Sequence, residues 1–198
     1  MREKNTLTAF RQSFALGYGT ETDFRDFDGN LVIEHDLPSE NSLKAELFFE
    51  LLKKENPDLT IAINIKSDGL QNLIKNSIQK YNIKNYFLFD MSVPDAIVSI
   101  KNGLRVFTRQ SDVEEVPAFY SEASGIWLDS FFDDKWLKVD QIKTHLQARK
   151  AVCIVSPELH QRNHLPFWEL IKRENLGGQD DLIICTDYPE EACSYFKK

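Results

Sequence analysis

Two acidic residues near the start of the chain have the spacing of a metal-binding pair. Glu21 and Asp23 are separated by one residue, at positions i and i+2, in the segment ETDFRDFDGNLVIEHD (residues 21–36). The apolar residues of this segment are typical of a strand. Residues i and i+2 of a strand point to the same face. Two converging carboxylates are costly unless a cation lies between them, and oxygen ligands suit Mg²⁺ or Ca²⁺. The spacing therefore predicts a divalent-metal site, with a solvated acidic strand edge as the alternative.

A histidine and a lysine nearby could add proton transfer and phosphate binding. His35 follows the apolar run LVIE and precedes Asp36, and an imidazole can move a proton near neutral pH. Lys66 ends the strand-like segment IAINIK, where an ammonium group could meet a phosphate oxygen. The alternatives are a turn histidine and a lysine that extends its charge to solvent at a strand exit.

Polar residues also follow most of the other apolar runs of the chain. Each alone could cap a helix or lie in a solvated loop, but the carboxyl ends of strands form the active face of a parallel barrel. We therefore expect four side chains to contact a substrate, namely Arg25, Asp90, Arg109 and Asp129. Of the other histidines, His145 is predicted on a helix surface and His160 on a loop at a strand end.

The elements that position these residues alternate along the chain. Short apolar runs begin near residues 18, 59, 85, 104, 125, 150 and 181, and a hairpin return is predicted at 31–35. Helical patterns are predicted at 5–16, 42–55, 69–81, 92–101, 112–121, 135–148, 163–174 and 189–197. Short buried strands that alternate with helices indicate parallel α/β structure. Seven strands behind a leading helix predict an incomplete TIM-type (β/α) barrel without its first strand, as one domain over residues 1–198.

An open doubly wound sheet is the rival architecture, because periodicity does not distinguish an open sheet from a closed one. No GxGxxG or GxxxxGK[ST] loop follows any predicted strand, which disfavours the nucleotide-binding versions of that sheet.

Composition argues against several classes of function. The chain has 198 residues, of which 42% are hydrophobic and 28% charged, and its net charge is −7. This acidic balance disfavours nucleic acid or an anionic membrane as the main partner. No apolar run approaches the roughly 20 residues of a membrane span. Three scattered cysteines and an N-terminus without an apolar signal core predict a cytoplasmic protein without disulfides.

These segments resemble the glycerophosphodiester phosphodiesterase family, a group of phospholipase-C-like barrels. Residues 3–36 are similar to its PENT-helix, E-x-D strand, D-G turn and HD motif. INIK (63–66) is similar to its E-x-K strand, and DLIICTDYPEEA (181–192) to its closing T-D-x-P segment. The similar segments span both ends of the chain in the family's order, while the middle of the chain is a looser match.

The resemblance implies roles for matching positions. Glu21 and Asp23 would be metal ligands, His35 one of two catalytic histidines, and Lys66 the lysine on the phosphate side. The family's third metal ligand is a glutamate where this chain has Asn64, and an amide oxygen can ligate without charge.

Glu158 could supply, from another strand, the negative charge that Asn64 lacks.

The family's first histidine lies in an H-R-G segment before the PENT-helix, and the chain begins at Met1-Arg2-Glu3. We therefore expect that histidine and its strand to be absent.

The expected function is a metal-dependent phosphodiesterase that hydrolyses a small glycerol- or sugar-type phosphodiester, with a place in lipid metabolism. The expected cofactor is Mg²⁺ or Ca²⁺, and the expected partner is the small-molecule diester. The alternative is a catalytically impaired barrel that binds a phosphate ligand. The absent histidine and Asn64 favour the alternative, whereas the acidic pair, His35 and Lys66 oppose it.

Overall fold

The structure is a computed structural model that describes residues 4–133 and 135–197. The chain divides into two compact units, Met1–Val106 and Phe107–Lys198, and each unit is described by itself. Both contain strands alternating with helices, so the predicted α/β class is confirmed. The prediction of a single domain stays a prediction.

The first unit contains a mixed five-stranded sheet. Its elements are α1 (Leu7–Ala15), β1 (Thr20–Phe27), β2 (Asn30–Ile33), β3 (Leu43–Lys44), α2 (Ala45–Glu55), β4 (Ile61–Ile65), α3 (Gln71–Tyr81), β5 (Tyr86–Phe89) and α4 (Val93–Lys101). The strand order is β3-β2-β1-β4-β5. β1, β4 and β5 pair in parallel, β2 pairs antiparallel with β1, and β3 pairs antiparallel with β2.

The predicted Asp-Gly turn joins β1 to β2. Asp28 and Gly29 both have positive φ, 48° and 74°, as the tightest hairpin turns require. The turn makes Arg25 the partner of Val32 in the antiparallel pair. The chain therefore returns beside β1 and reaches His35 just after β2 ends.

The second unit contains a four-stranded parallel sheet in the order β6-β7-β8-β9. Its elements are β6 (Phe107–Ser111), β7 (Gly125–Asp129), α5 (Val139–Gln147), β8 (Ala151–Val155), a 3₁₀ turn at Pro157–His160, α6 (Leu165–Arg173), β9 (Leu182–Cys185) and α7 (Pro189–Phe196). The strands from β7 to β9 are separated by helices, which is the connection that parallel neighbours need.

Each predicted strand overlaps an observed one, but the described residues form nine strands in two sheets rather than seven in one barrel. Barrel closure stays a prediction. The helix predicted at 112–121 is wrong, because this segment is irregular. Pro117 disfavours the helical conformation at the preceding residue. The Asp112 carboxylate accepts hydrogen bonds from the backbone N–H groups of residues 131–133 instead.

An aromatic cluster holds the helices of the first unit against β1. Phe48 of α2 is fully buried, and its ring centre lies 4.7 Å from that of Phe10, 5.7 Å from Phe14 and 6.2 Å from Phe24. Phe10 and Phe14 belong to α1, and Phe24 belongs to β1. The cluster therefore fixes the strand that carries Glu21 and Asp23.

The core of the second unit is aliphatic, with Ile126, Leu128 and Ile154 of its sheet packed against Ile142 of α5 and Ile171 of α6.

Over the described ranges 4–133 and 135–197, no helix combines the length and apolar character needed to cross a membrane.

We predict that Phe48→Ala lowers the free energy of unfolding by about 3–5 kcal/mol, because it empties the centre of the aromatic cluster. Leu47→Ala is the matched control. Leu47 precedes Phe48 on α2, but its side chain is exposed, so we expect the free energy of unfolding to change by no more than about 0.5–1 kcal/mol. Urea unfolding followed by far-UV circular dichroism measures both. Similar losses for the two variants would show that the cluster does not hold the unit together.

Candidate functional site

A group of polar side chains in the first unit lies on one face of β1 and β4. Glu21 and Asp23 occupy alternate positions of β1 and share a face, as predicted. The parallel register places Asp23 beside Asn64 of β4. Asp23 and Asn64 are both buried, so this face of the sheet holds charge inside the unit.

Two hydrogen-bond donors partly compensate the buried Asp23 carboxylate. Lys66 Nζ lies 3.2 Å from its Oδ1, and Asn5 Nδ2 donates to its Oδ2 at 2.8 Å. Asn5 also accepts a hydrogen bond from the Thr22 hydroxyl at 2.9 Å. Lys66 therefore meets a carboxylate in this structure, at the position where the sequence predicts a phosphate.

Sequence reasoning missed Asn5. It has a left-handed backbone, φ 60°, which asparagine adopts more readily than most residues. It immediately precedes Thr6, whose hydroxyl caps α1 by accepting from the backbone N–H of Ala9. An asparagine just before a helix cap was the available signal, but only the folded chain brings its amide to Asp23.

Glu21 is the least compensated acid of the site. Burial, followed by the like charge of Asp23, raises the pKa of Glu21 to about 7, although Lys66 and a hydrogen bond from Asn64 act in the opposite direction. The Glu21 carboxyl therefore retains its proton more readily than an ordinary glutamate does, and an added cation beside the acidic pair would favour its release.

Asn64 uses its amide nitrogen and leaves its oxygen without a partner. Its Nδ2 lies 3.4 Å from Asp90 Oδ2 and also donates to Glu21. Its buried Oδ1 has no hydrogen-bond partner in the described part of the chain. Buried polar atoms are usually satisfied, so this oxygen indicates a ligand site.

The oxygen atoms of Glu21, Asp23 and Asn64 are ligands of the kind that a hard divalent cation prefers. Two carboxylates and an orphaned amide oxygen are the oxygen ligands that Mg²⁺ and Ca²⁺ accept. Within residues 4–133 and 135–197, no group of three or more His, Cys, Asp or Glu side chains is arranged to hold a metal ion. The donor set includes only two such residues, so we expect weak binding.

His35 lies apart from this cluster. Its side chain is 68% exposed and pairs with the neighbouring Asp36, Nδ1 to Oδ1 at 3.1 Å. Among the described residues, it makes no hydrogen bond or ion pair with the acidic pair or with Lys66. Arg25, the next residue of β1 on the face of Glu21 and Asp23, instead donates to the main-chain oxygens of His35 and Lys66.

In the second unit, Asp129 at the end of β7 contacts His160, Oδ1 to Nε2 at 2.6 Å. The Phe131 ring packs edge-on against His160 and under the guanidinium of Arg109, 5.9 Å away. A carboxylate that orients an imidazole is an arrangement suited to proton transfer. The substrate contacts predicted for Arg25, Asp90, Arg109 and Asp129 stay predictions.

Glu158 lies in the second unit, and its side chain is 6% exposed. Its Oε1 accepts hydrogen bonds from the Thr186 hydroxyl and, at 3.2 Å, from the backbone N–H of Asp187. Its Oε2 lies 3.9 Å from His164 Nδ1 and has no hydrogen-bond partner in the described chain. Glu158 thus ties the 3₁₀ turn to the segment after β9, and its role as a metal ligand stays a prediction.

The surface position predicted for His145 is wrong. This residue is buried between the Tyr120 hydroxyl at 3.0 Å and Gln110 Oε1 at 2.9 Å, and burial lowers the pKa of its imidazole. A histidine on an amphipathic helix can face either the core or the solvent. Here Tyr120 and Gln110, both distant in sequence, hydrogen-bond the ring and hold it on the buried side.

The chain shares its fold with solved glycerophosphodiester phosphodiesterases. A glycerophosphodiester phosphodiesterase from Parabacteroides distasonis superposes with a TM-score of 0.70 at 16% identity, over 98% of this chain and 90% of that one. The enzyme from Agrobacterium tumefaciens gives 0.67 at 12%, over 92% and 89%.

A phosphodiesterase from Oleispira antarctica, in complex with its product sn-glycerol-3-phosphate, gives 0.70 at 15% identity, over 99% and 92%. No protein-family profile and no curated protein sequence matches the chain. The predicted resemblance is therefore confirmed at the level of the fold.

We predict that Glu21 makes the protein less stable as the pH rises. Its pKa is raised in the folded state, so the folded state holds the proton more tightly and loses stability from about pH 4.5 upward through pH 7. Glu21→Gln should remove up to about 3 kcal/mol of this loss between pH 5 and pH 8.

Urea unfolding at both pH values, without divalent cations, measures the effect, and Glu50→Gln on the exposed side of α2 is the control. If wild type and Glu21→Gln change in parallel with pH, the Glu21 carboxyl is not held protonated by its surroundings.

Proposed function

We propose that the chain is a metal-dependent phosphodiesterase, which hydrolyses a small glycerol- or sugar-type phosphodiester. The observation that carries the proposal is the group of Glu21, Asp23 and Asn64 oxygens beside Lys66, in a chain with the fold of glycerophosphodiester phosphodiesterases. An acidic cluster alone repels a phosphate diester. With a divalent cation, the same cluster becomes a site that attracts one.

Glu21, Asp23 and Asn64 would hold the cation, Mg²⁺ or Ca²⁺. When bound, the ion supplies charge that neutralises phosphate oxygens and stabilises the transition state. The raised pKa of Glu21 supports this assignment, because a cation would replace the proton that the carboxyl otherwise retains. The orphaned Asn64 oxygen supports it independently. Glu158 is kept as a further candidate ligand.

Lys66 would bind the diester phosphate. Its ammonium group is held 3.2 Å from Asp23, so it already lies at the acidic pair and needs only a change of partner when cation and substrate arrive. His35 would transfer a proton, since histidine is the commonest general acid or base. Asp90, which accepts from Asn64, and Arg109 and Asp129 would contact the substrate.

The Oleispira antarctica enzyme is in complex with sn-glycerol-3-phosphate as its product, which supports a glycerol phosphodiester as the substrate class to test first. The place in lipid metabolism and the cytoplasmic location belong to the same proposal.

A second candidate is a binding module that holds a phosphate ligand without turnover. One observation favours it: the His35 ring is exposed and hydrogen-bonded to its neighbour rather than to the acidic pair. Such a protein would keep cation and phosphate binding while it lacks the proton transfer that hydrolysis needs.

We predict that Mg²⁺ or Ca²⁺ binds weakly to the wild type and that Glu21→Gln/Asp23→Asn abolishes this binding, because both charged ligands are lost. Isothermal titration calorimetry measures the affinity. The control is Glu50→Gln/Asp58→Asn, which removes the same charge at exposed positions of the same unit. Equal binding by the wild type and the site variant would eliminate the proposed cation site.

We predict that the wild type releases glycerol phosphate from glycerophosphoethanolamine in the presence of Mg²⁺ or Ca²⁺. His35→Ala should lower kcat by about 10²–10⁴-fold, the usual value of general acid or base help, without weakening cation binding. Glu40→Ala, an exposed change in the same loop, should have no effect. A wild type that binds sn-glycerol-3-phosphate but shows no turnover would favour the binding module.

A further inference from the structure

Arg25 connects two loops that flank β1. Its Nε and Nη2 donate to the main-chain oxygen of His35 at 3.3 and 2.9 Å, and its Nη1 donates to the main-chain oxygen of Lys66 at 3.0 Å. His35 lies just after β2, and Lys66 lies just after β4. One side chain therefore holds the backbone of both residues to which the proposed function assigns phosphate and proton chemistry.

The sheet explains why position 25 can do this. β1 lies between β2 and β4, and Arg25 follows Glu21 and Asp23 on the same face of the strand. β4 pairs with β1 only as far as Ile65, opposite Phe24, and β2 ends at Ile33. The neighbouring strands both end near Arg25, so its guanidinium reaches loops on either side.

Other contacts between described residues tie each loop to β1, including the ion pair of Lys66 with Asp23. On the β2 side, the backbone N–H of Glu34 donates to Asp23 O at 3.0 Å. On the β4 side, the backbone N–H of Lys66 donates to Phe24 O at 3.0 Å, and the Ser67 hydroxyl donates to Asp26 at 2.9 Å. These contacts tie each loop to β1 separately. Arg25 joins both loops to a single residue of the sheet.

The chemistry of the contact requires arginine. A guanidinium is planar and presents its donors in a fixed fork, whereas a lysine ammonium is a single rotating point charge. Three of the five N–H donors of Arg25 are committed to two carbonyl groups in different loops. Lysine at this position would retain the charge but could not hold both carbonyls in the same geometry.

We propose that Arg25 is a positioning residue, which fixes the His35 and Lys66 segments relative to each other and to the acidic pair. This inference rests on the proposed function for the roles of His35 and Lys66. It differs from the substrate contact predicted for Arg25 from the sequence, because it acts through backbone geometry and not through the charge.

The substitution Arg25→Lys separates the two roles. Loss of positioning should lower kcat for glycerophosphoethanolamine by about 10–10²-fold, since displacement of a reacting group by about 1 Å costs up to 10². KM and calorimetric cation affinity should change less than threefold. The control is Arg105→Lys, an exposed arginine of the same unit, which should equal the wild type. If Arg25 acted by charge alone, Arg25→Lys would keep full activity, and that result would overturn the proposal.

Chemical rescue gives a readout that a purely stabilising role would not move. Free guanidinium at low millimolar concentration should restore part of the kcat of Arg25→Ala, and methylammonium should not. Equal effects of the two cations, or no rescue, would contradict a requirement for the planar fork. Thermal unfolding of each variant, measured in parallel, identifies any that simply fail to fold.

Hydrogen exchange distinguishes failure of this inference from failure of the proposed function. If the wild type has no turnover, the phosphodiesterase proposal fails. The positioning role of Arg25 is then tested by hydrogen exchange at the backbone amides of residues 35–37 and 66–67. These amides should exchange at least tenfold faster in Arg25→Ala than in Arg105→Ala. Unchanged exchange at both segments would overturn the inference whatever the activity.

Discussion

The first unit is organised around two like charges held on one buried face of a strand. Glu21 and Asp23 cannot avoid each other, because alternate strand residues share a face, and burial prevents water from screening them. Nearby polar side chains partly compensate the two charges. Lys66 forms an ion pair with Asp23, Asn5 donates a hydrogen bond to Asp23, and Asn64 donates a hydrogen bond to Glu21. The compensation is incomplete, which explains both the raised pKa of Glu21 and the cation site we propose.

Much of this face could be predicted because it depends on short-range rules. The i, i+2 spacing of the acids predicted a shared face, and the Asp28-Gly29 dipeptide predicted the tight reversal that the positive φ angles show. The apolar run at 59–65 predicted the strand that carries Asn64. The strand register was not predictable in the same way, since pairing of Asp23 with Asn64 depends on contacts between distant segments.

The wrong predictions share a physical cause. The helix at 112–121 was inferred from local spacing, but Asp112 is committed to backbone groups some twenty residues away. His145 was assigned to solvent from its helix alone, yet Gln110 and Tyr120 bury it. Asn5 was missed because its partner Asp23 is 18 residues away along the chain. His160 was predicted on a loop at a strand end, but its pairing with Asp129, 31 residues away, was not predicted. Single-sequence periodicity contains no information on such contacts.

The site thus combines two kinds of position with different mechanical support. Glu21, Asp23 and Asn64 lie on strands whose ladder of backbone hydrogen bonds fixes their spacing, as cation ligands require. Lys66 and His35 lie just beyond strand ends, where the regular ladder stops, although the backbone N–H of Lys66 still donates to Phe24 O. A strand residue that donates to the loop backbone extends the rigidity of the sheet past its last hydrogen bond. Arg25 occupies that position and donates to main-chain oxygens in both loops, which is why it can matter to the chemistry of His35 and Lys66.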